Sequence, residues 1–243
     1  MFIRNVLAMG TVFNFFLDSK GKSTSHFEDL VERCADLLGR LEQRFSPWIE
    51  DSEVSRFRRD EVEEPSELFD EVMLLCYRAL EVTGGYFDCW TSESGYDPTG
   101  LVKGWAIEKA LSLLASAGVE AGGINGGGDI ALLPGWRQMV GVQHPNRSDA
   151  ICGVVEVESA VATSGVYQRG NHLYNPFGGD VVALSATVVG AELWLCDAFA
   201  TALCVGGDDV LFLLERYPGY EGFFIDRDEK LYKTSGLDLK PGP

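Results

Sequence analysis

Positive charge is scarce in this sequence. Twenty lysines and arginines face 37 aspartates and glutamates among 243 residues, a net charge of −17. Phosphate backbones and anionic membrane surfaces are held by clustered lysine and arginine, so both are disfavoured as partners. An acidic protein can still hold an anionic ligand where a metal ion or main-chain amides supply the positive charge. No apolar run reaches the roughly 20 residues of a membrane helix. The opening Met1-Phe2-Ile3-Arg4-Asn5-Val6 shows no basic segment followed by an apolar stretch and a small-residue cleavage site, and no Leu-x-x-Cys lipobox precedes Cys34. The expectation is a cytoplasmic protein. Six cysteines (34, 76, 89, 152, 196 and 204) occur without a C-x-x-C pair. Buried free thiols are expected of them, and a zinc site is not. Two phosphate-loop patterns are also missing, G-x-x-x-x-G-K-[ST] and a G-x-G-x-x-G ahead of a helix. Their absence disfavours a P-loop kinase and a Rossmann dehydrogenase.

Apolar residues are plentiful at 46%, enough for the core of one large domain over 1–243. Alternation and β-branched or aromatic content predict a first strand over residues 4–17. Ser25-His26-Phe27-Glu28 resembles a capping box opening a helix to about residue 45, with an apolar stripe of Leu30, Cys34, Leu37, Leu38 and Leu41. Further helices are expected over 52–58, from Pro65-Ser66 to the stop signal Gly84-Gly85, over 100–117, 192–205 and 208–217. Strands are expected over 122–133, 137–143, 152–158, 180–190 and 221–226. Helices gather in the first half and strands in the second. That pattern predicts an α+β class, one compact domain with a mostly antiparallel sheet and at most two lobes.

Polar residues in unusual company mark the candidate chemistry. Asp197 and Thr201 lie four apart in a predicted helix that is otherwise Leu195, Cys196, Ala198, Phe199, Ala200, Ala202 and Leu203. They share a face and need partners there. A carboxylate and a hydroxyl are the hard oxygen donors that Mg²⁺ accepts. An isolated D-x-x-x-T would otherwise read as an ordinary helix feature. Asp97-Pro98-Thr99-Gly100 leads into a helix whose N-terminus suits a phosphate or a metal-bound pyrophosphate, and Gly100 offers an unobstructed carbonyl. Lys103, in the first turn, sits badly with the helix dipole unless it meets an anion; a surface lysine after a plain turn is the alternative. Gly126-Gly127-Gly128, within a strand-like run, marks a bulge or a close backbone approach, with a phosphate loop as another reading. His172 follows the polar loop Thr163-Ser164-Gly165 to Asn171 and is the best general-base candidate, since an imidazole titrates near ~6.5. A loop histidine bonded to a carbonyl is the plainer fate. Trp48, Tyr86 and Phe87 stand beside turn signals, where flat rings can stack on a flavin or adenine as well as pack in a core.

In order and spacing these segments resemble the ApbE family, the FAD:protein FMN transferases. The resemblance runs from Met9-Gly10-Thr11 through Gly85-Tyr86-Phe87-Asp88, Asp97 to Gly104, Asn125 to Asp129, and Ala162 to Gly165 with His172, to Asp197-Ala198-Phe199-Ala200-Thr201. It implies Mg²⁺-dependent transfer of the FMN part of FAD to a threonine (sometimes serine) hydroxyl of an acceptor flavoprotein, with a phosphoester formed and AMP released. It further implies that Met9, Trp48, Tyr86, Phe87, Asp88, Asp97 and Lys103 contact FAD. The implied metal ligands are the Gly100 carbonyl, Asp197 and Thr201, and His172 of His172-Leu173-Tyr174-Asn175-Pro176 would activate the acceptor hydroxyl. The chain departs from the family pattern in carrying Arg58 where Asn is common, in a short stretch between Asp88 and Asp97, and in showing no lipoprotein leader. Two other outcomes stay open: an FAD pyrophosphatase yielding FMN and AMP, and a flavin-binding protein without catalysis.

Overall fold

Hairpins replace the two longest expected strands. The computed structural model describes residues 1–18, 21, 23–90, 95–166 and 173–242. The stretch 4–17 divides into β1 (Phe2–Ala8) and β2 (Thr11–Leu17), with Ala8 paired to Thr11 across the reversal. Its two turn residues, Met9 and Gly10, have φ of 50° and 69°. Positive φ at both central positions is what a type I′ hairpin turn requires. The stretch 122–133 divides likewise into β3 (Gly122–Gly126) and β4 (Asp129–Leu132). Gly127 and Gly128 make this turn with φ of 64° and 102°, and Asn125 Oδ1 accepts the Gly128 amide at 2.9 Å. The glycine triplet is therefore a strand end plus a turn rather than a bulge, and it is a close backbone approach, since a Cβ at Gly127 would stand 2.7 Å from Thr11 Oγ1.

β3 and β4 continue a sheet whose order is β1-β2-β3-β4-β7-β8-β9-β10, every neighbour antiparallel. Its remaining strands are β7 (Ala160–Gly165), β8 (Ala183–Gly190), β9 (Glu221–Asp226) and the short β10 (Leu231–Lys233). β5 (Gln138–His144) and β6 (Arg147–Val157) pair as a separate ribbon. The α+β class with a mostly antiparallel sheet is thus what forms, although its first two strands come from the helix-rich half. Thr163-Ser164-Gly165, expected as loop, ends strand β7.

The two faces of the sheet bury different partners. Successive side chains alternate, so in β9 Phe224 joins the helix side while Phe223 and Ile225 join the ribbon side with Val142, Val155 and Val157. The helices are α1 (Thr24–Phe45), α2 (Glu53–Arg58), α3 (Glu67–Val82), α4 (Thr99–Ser116), α5 (Leu193–Gly206) and α6 (Asp208–Glu215). α1 buries Phe27, Leu30, Val31, Cys34, Leu38, Leu41 and Phe45, a three-four repeat that packing rather than intrinsic propensity holds in place. Its cap is Ser23, which accepts the His26 amide at 3.4 Å, so the expected box at Ser25 lies inside the helix. α5 is buried except at Thr201 and Gly206. It crosses α4 at Gly104, where a Cβ would stand 2.9 Å from the Leu193 carbonyl oxygen. That close crossing sets the spacing of the two helices that carry the candidate site. Five of the cysteines are buried and all six are free, and burial pushes the Cys34 thiol up to about 12. No helix among the described residues is long and apolar enough to cross a membrane.

Candidate active site

A cavity of about 310 Å³ collects most of the candidate residues. Trp48, Tyr86, Phe87, Asp88, Asp97, Thr99, Gly100, Lys103, Thr163, Ser164, Leu173, Tyr174, Asp197 and Thr201 line it. Two larger surface grooves, of about 940 and 680 Å³, contain none of them. A more apolar cavity of about 280 Å³ adjoins the first through Trp48, Thr99 and Lys103 and adds Met9, Gly10, Glu42, Phe45 and Val102. Met9 therefore stands in the neighbouring chamber. His172 lies outside the described residues.

Local chemistry explains each placement. Asp97 braces the turn leading into α4 with Oδ1, which accepts the Thr99 amide at 3.0 Å, while Oδ2 lies 3.4 Å from Arg58 Nη2. Arg58 is anchored in turn by donating from Nε to the Tyr96 carbonyl at 2.6 Å. Asp88 Oδ1 accepts the Trp90 amide at 2.7 Å and holds its own loop. Gly100 is a close approach: a Cβ there would stand 3.0 Å from Cε2 of the buried Phe87 ring. The Tyr86 hydroxyl donates to Asp209 Oδ2 at 2.7 Å, which raises its pKa, and its ring meets Phe177 edge-on at 4.8 Å. Trp48 is 78% exposed and forms the partition between the two chambers. Met9 donates its amide to Glu42 Oε2 at 2.8 Å, so α1 grips the strained turn.

The floor is polar and closely bonded. Asp197 is only 4% exposed, and Thr201 follows one turn later on α5. The Thr201 and Ser164 hydroxyls lie 3.0 Å apart, and the Thr163 and Thr187 hydroxyls 2.9 Å apart. The fully buried Asp129 places Oδ2 2.5 Å from Lys103 Nζ and accepts the Thr163 amide on Oδ1 at 3.1 Å. The Oδ2 contact is one of charge to charge, without hydrogen-bond alignment. The Thr163 amide is thus already taken. Asp129 is the floor residue that motif reasoning left unassigned. Its signal was a carboxylate opening the buried run Ile130-Ala131-Leu132, a position that demands a cationic partner. Beneath the floor, Glu108 of α4 accepts the Leu193 amide at the start of α5, and burial pushes its carboxyl up to about 7.

The charge balance limits what the cavity can hold. Among the described residues, three carboxylates, Asp88, Asp97 and Asp197, line it beside one ammonium, Lys103, which already faces Asp129. A polyanionic ligand needs added positive charge there. The described residues contain no group of three or more His, Cys, Asp or Glu side chains suited to caging a metal. The candidate donors are the Asp197 carboxylate, the Thr201 hydroxyl and the backbone at Gly100, all hard oxygens. That set suits a cation such as Mg²⁺, which keeps water and substrate oxygens in its shell rather than demanding a full protein cage.

A model of the ApbE family matches residues 91–224. The chain belongs to the ApbE family. The matched region holds α4, the β3–β4 hairpin, β7 and α5, which together make the floor; Met9, Trp48 and Tyr86 to Asp88 precede it. The fold is that of solved ApbE structures. A flavin transferase ApbE from Vibrio cholerae is 21% identical, with 96% of each chain covered and a TM-score of 0.79. An ApbE protein from Thermotoga maritima is 19% identical over 96% of each chain, at 0.81. The flavinyl transferase ApbE of Pseudomonas stutzeri, in its apo form, is 20% identical over 96% of this chain and 94% of its own, at 0.74. No match was found among curated proteins.

Proposed function

We propose that this ApbE-family protein transfers the FMN part of FAD to a threonine or serine hydroxyl of an acceptor flavoprotein, with Mg²⁺ as the metal, and releases AMP. The observation that carries the reading is the cavity-lining face of α5. Asp197 and Thr201 are the polar exception on a buried apolar helix, and they open into the same cavity as the N-terminus of α4. Asp197, Thr201 and the Gly100 carbonyl would hold the metal, which when bound would draw negative charge from the diphosphate.

The chain's own residues supply the rest. Lys103 and the start of α4 face the charged portion of the ligand, where each favours an anion. Phe87 closes over Gly100 and keeps water from that wall. The apolar chamber beyond Trp48, with Met9, Phe45 and Val102, suits a flat ring. The acceptor hydroxyl oxygen bonds to the FMN phosphorus as the phosphorus–oxygen bond to AMP breaks. His172, the general-base candidate of the sequence, would take the hydroxyl proton, a service worth roughly 10²–10⁴ in rate.

Mass spectrometry of a candidate acceptor, mixed with the protein, FAD and Mg²⁺, tests the reading. One added FMN on a threonine or serine is expected, with AMP in equal amount. Rapid AMP release with no acceptor present would make the protein a pyrophosphatase instead. FAD left intact with and without Mg²⁺ would sink both.

A further inference from the structure

Among the carboxylates of the floor, Asp129 is the one that lines neither chamber. It is fully buried at the first position of β4, immediately after the Gly127-Gly128 turn. One oxygen faces the Lys103 ammonium at 2.5 Å, and the other accepts the Thr163 amide at 3.1 Å. It thereby joins α4 to β7. The next residue of β7, Ser164, lies 3.0 Å from the Thr201 hydroxyl of α5. Lysine is a flexible four-carbon stem with a point charge at its tip, so a fixed counter-charge decides where that tip rests. A buried carboxylate is costly to desolvate, and the cost is tolerable here because both of its oxygens have partners of positive character.

We propose that Asp129 is the positioning residue of this site: it fixes the Lys103 ammonium over the cavity floor, and through the Thr163 amide it fixes the strand carrying Ser164. The assignment rests on the flavin-transfer reading, and it names the phosphate-bearing end of the ligand as what Lys103 meets. The same geometry allows a contrary result. Removing a carboxylate from an anion site would by itself tighten anion binding. Positioning and bare charge therefore predict opposite signs for one substitution.

The test is a double-mutant cycle on the full chain, with FAD affinity measured by flavin fluorescence in the presence of Mg²⁺ and folding followed by thermal melting. Asp129→Asn keeps an oxygen for the Thr163 amide and removes only the charge. Lys103→Met removes the ammonium but keeps much of its length. Lys103→Met is expected to weaken FAD binding by about 10–100-fold, the range of a charge-assisted hydrogen bond. Asp129→Asn is expected to weaken it comparably, and the double variant no further than Lys103→Met alone. Should Asp129→Asn fail to fold, the double variant leaves no unpaired buried charge, and its affinity against that of Lys103→Met decides the matter. Tighter or unchanged FAD binding in folded Asp129→Asn, or losses that add in the double variant, would overturn the assignment. A wild-type protein that binds no FAD would overturn the flavin reading and this assignment with it.

Discussion

The floor of the cavity and its rim are built on opposite principles. On the floor, Asp129, Thr163, Ser164, Thr187 and Thr201 are bonded to one another or to Lys103 and are buried or nearly so. On the rim, Trp48, Tyr174 and Phe177 stand largely exposed, and Tyr86, half-buried, is held by its hydroxyl bond to Asp209 and its edge contact with Phe177. A buried network is stiff because every group that moves leaves a partner unsatisfied. Exposed rings can reorient at little cost and still contribute area when a ligand covers them. The contrast assigns chemistry to the floor and capture to the rim.

Removing Asp197 is the largest blow to that division. Asp197→Ala should lower Mg²⁺-dependent activity by more than the roughly 10–100-fold that a metal's outer-shell partners typically cost. A magnesium titration of transfer rate reads it, and an unchanged curve would take Asp197 off the floor's working face.

The underside of the floor yields a prediction about pH. Glu108 in the fold holds its proton up to about 7, whereas the unfolded chain releases it near the ordinary 4.5. Between those values the folded state carries the extra proton, so this group's contribution to stability is full below about 4.5 and is lost as pH rises to 7. The loss is at most about 3–4 kcal/mol, from ~1.4 kcal/mol per pH unit. Melting temperatures of wild type and Glu108→Gln, compared from pH 5 to 8, should diverge in wild type's favour at the acid end. Parallel curves would mean that the carboxyl at the head of α5 ionises normally.

Trp48 is the rim's own test. Trp48→Ala should weaken FAD binding by about 1 kcal/mol, near fivefold, the scale of an aromatic pairing. The melting temperature should hold, because the ring is 78% exposed. A lower melting temperature with unchanged affinity would move Trp48 from capture to packing.

What the sequence disclosed follows the same line between periodic and non-periodic signals. Helices were legible because their stripes repeat, as in Leu30, Cys34, Leu38 and Leu41, and because Ser66 and Gly84 punctuate α3. Hairpins were not. A turn at Met9-Gly10 lacks the Asn-Gly or Asp-Gly signature, and three glycines in a row hide which two make the turn. β7 escaped because Thr163 and Ser164 look like loop, although in the fold their hydroxyls are paired and the Thr163 amide faces a buried carboxylate. Asp197 and Thr201 were legible as misfits on an apolar helix. Asp129 showed only as a carboxylate opening a buried run, and its partner, 26 residues back on another element, was not legible.

The finest test lies where rim and floor meet, at the two hairpin turns. Both need positive φ, and glycine meets that need without strain at Gly127 and Gly128. Met9 meets it with a side chain, at a cost of about 1–2 kcal/mol for a left-handed residue. Strain of this kind persists where the surroundings enforce it, and here the Glu42 carboxylate holds the Met9 amide while the side chain lines the apolar chamber. Met9→Gly relieves the strain. It also loses some packing and frees the unfolded chain by about 0.4–1 kcal/mol. These terms nearly cancel, so stability in urea should change by less than about 1 kcal/mol while FAD binding weakens. A large stability loss with full affinity would show that Met9 serves the core, and the strained turn would then belong to the fold rather than to the ligand.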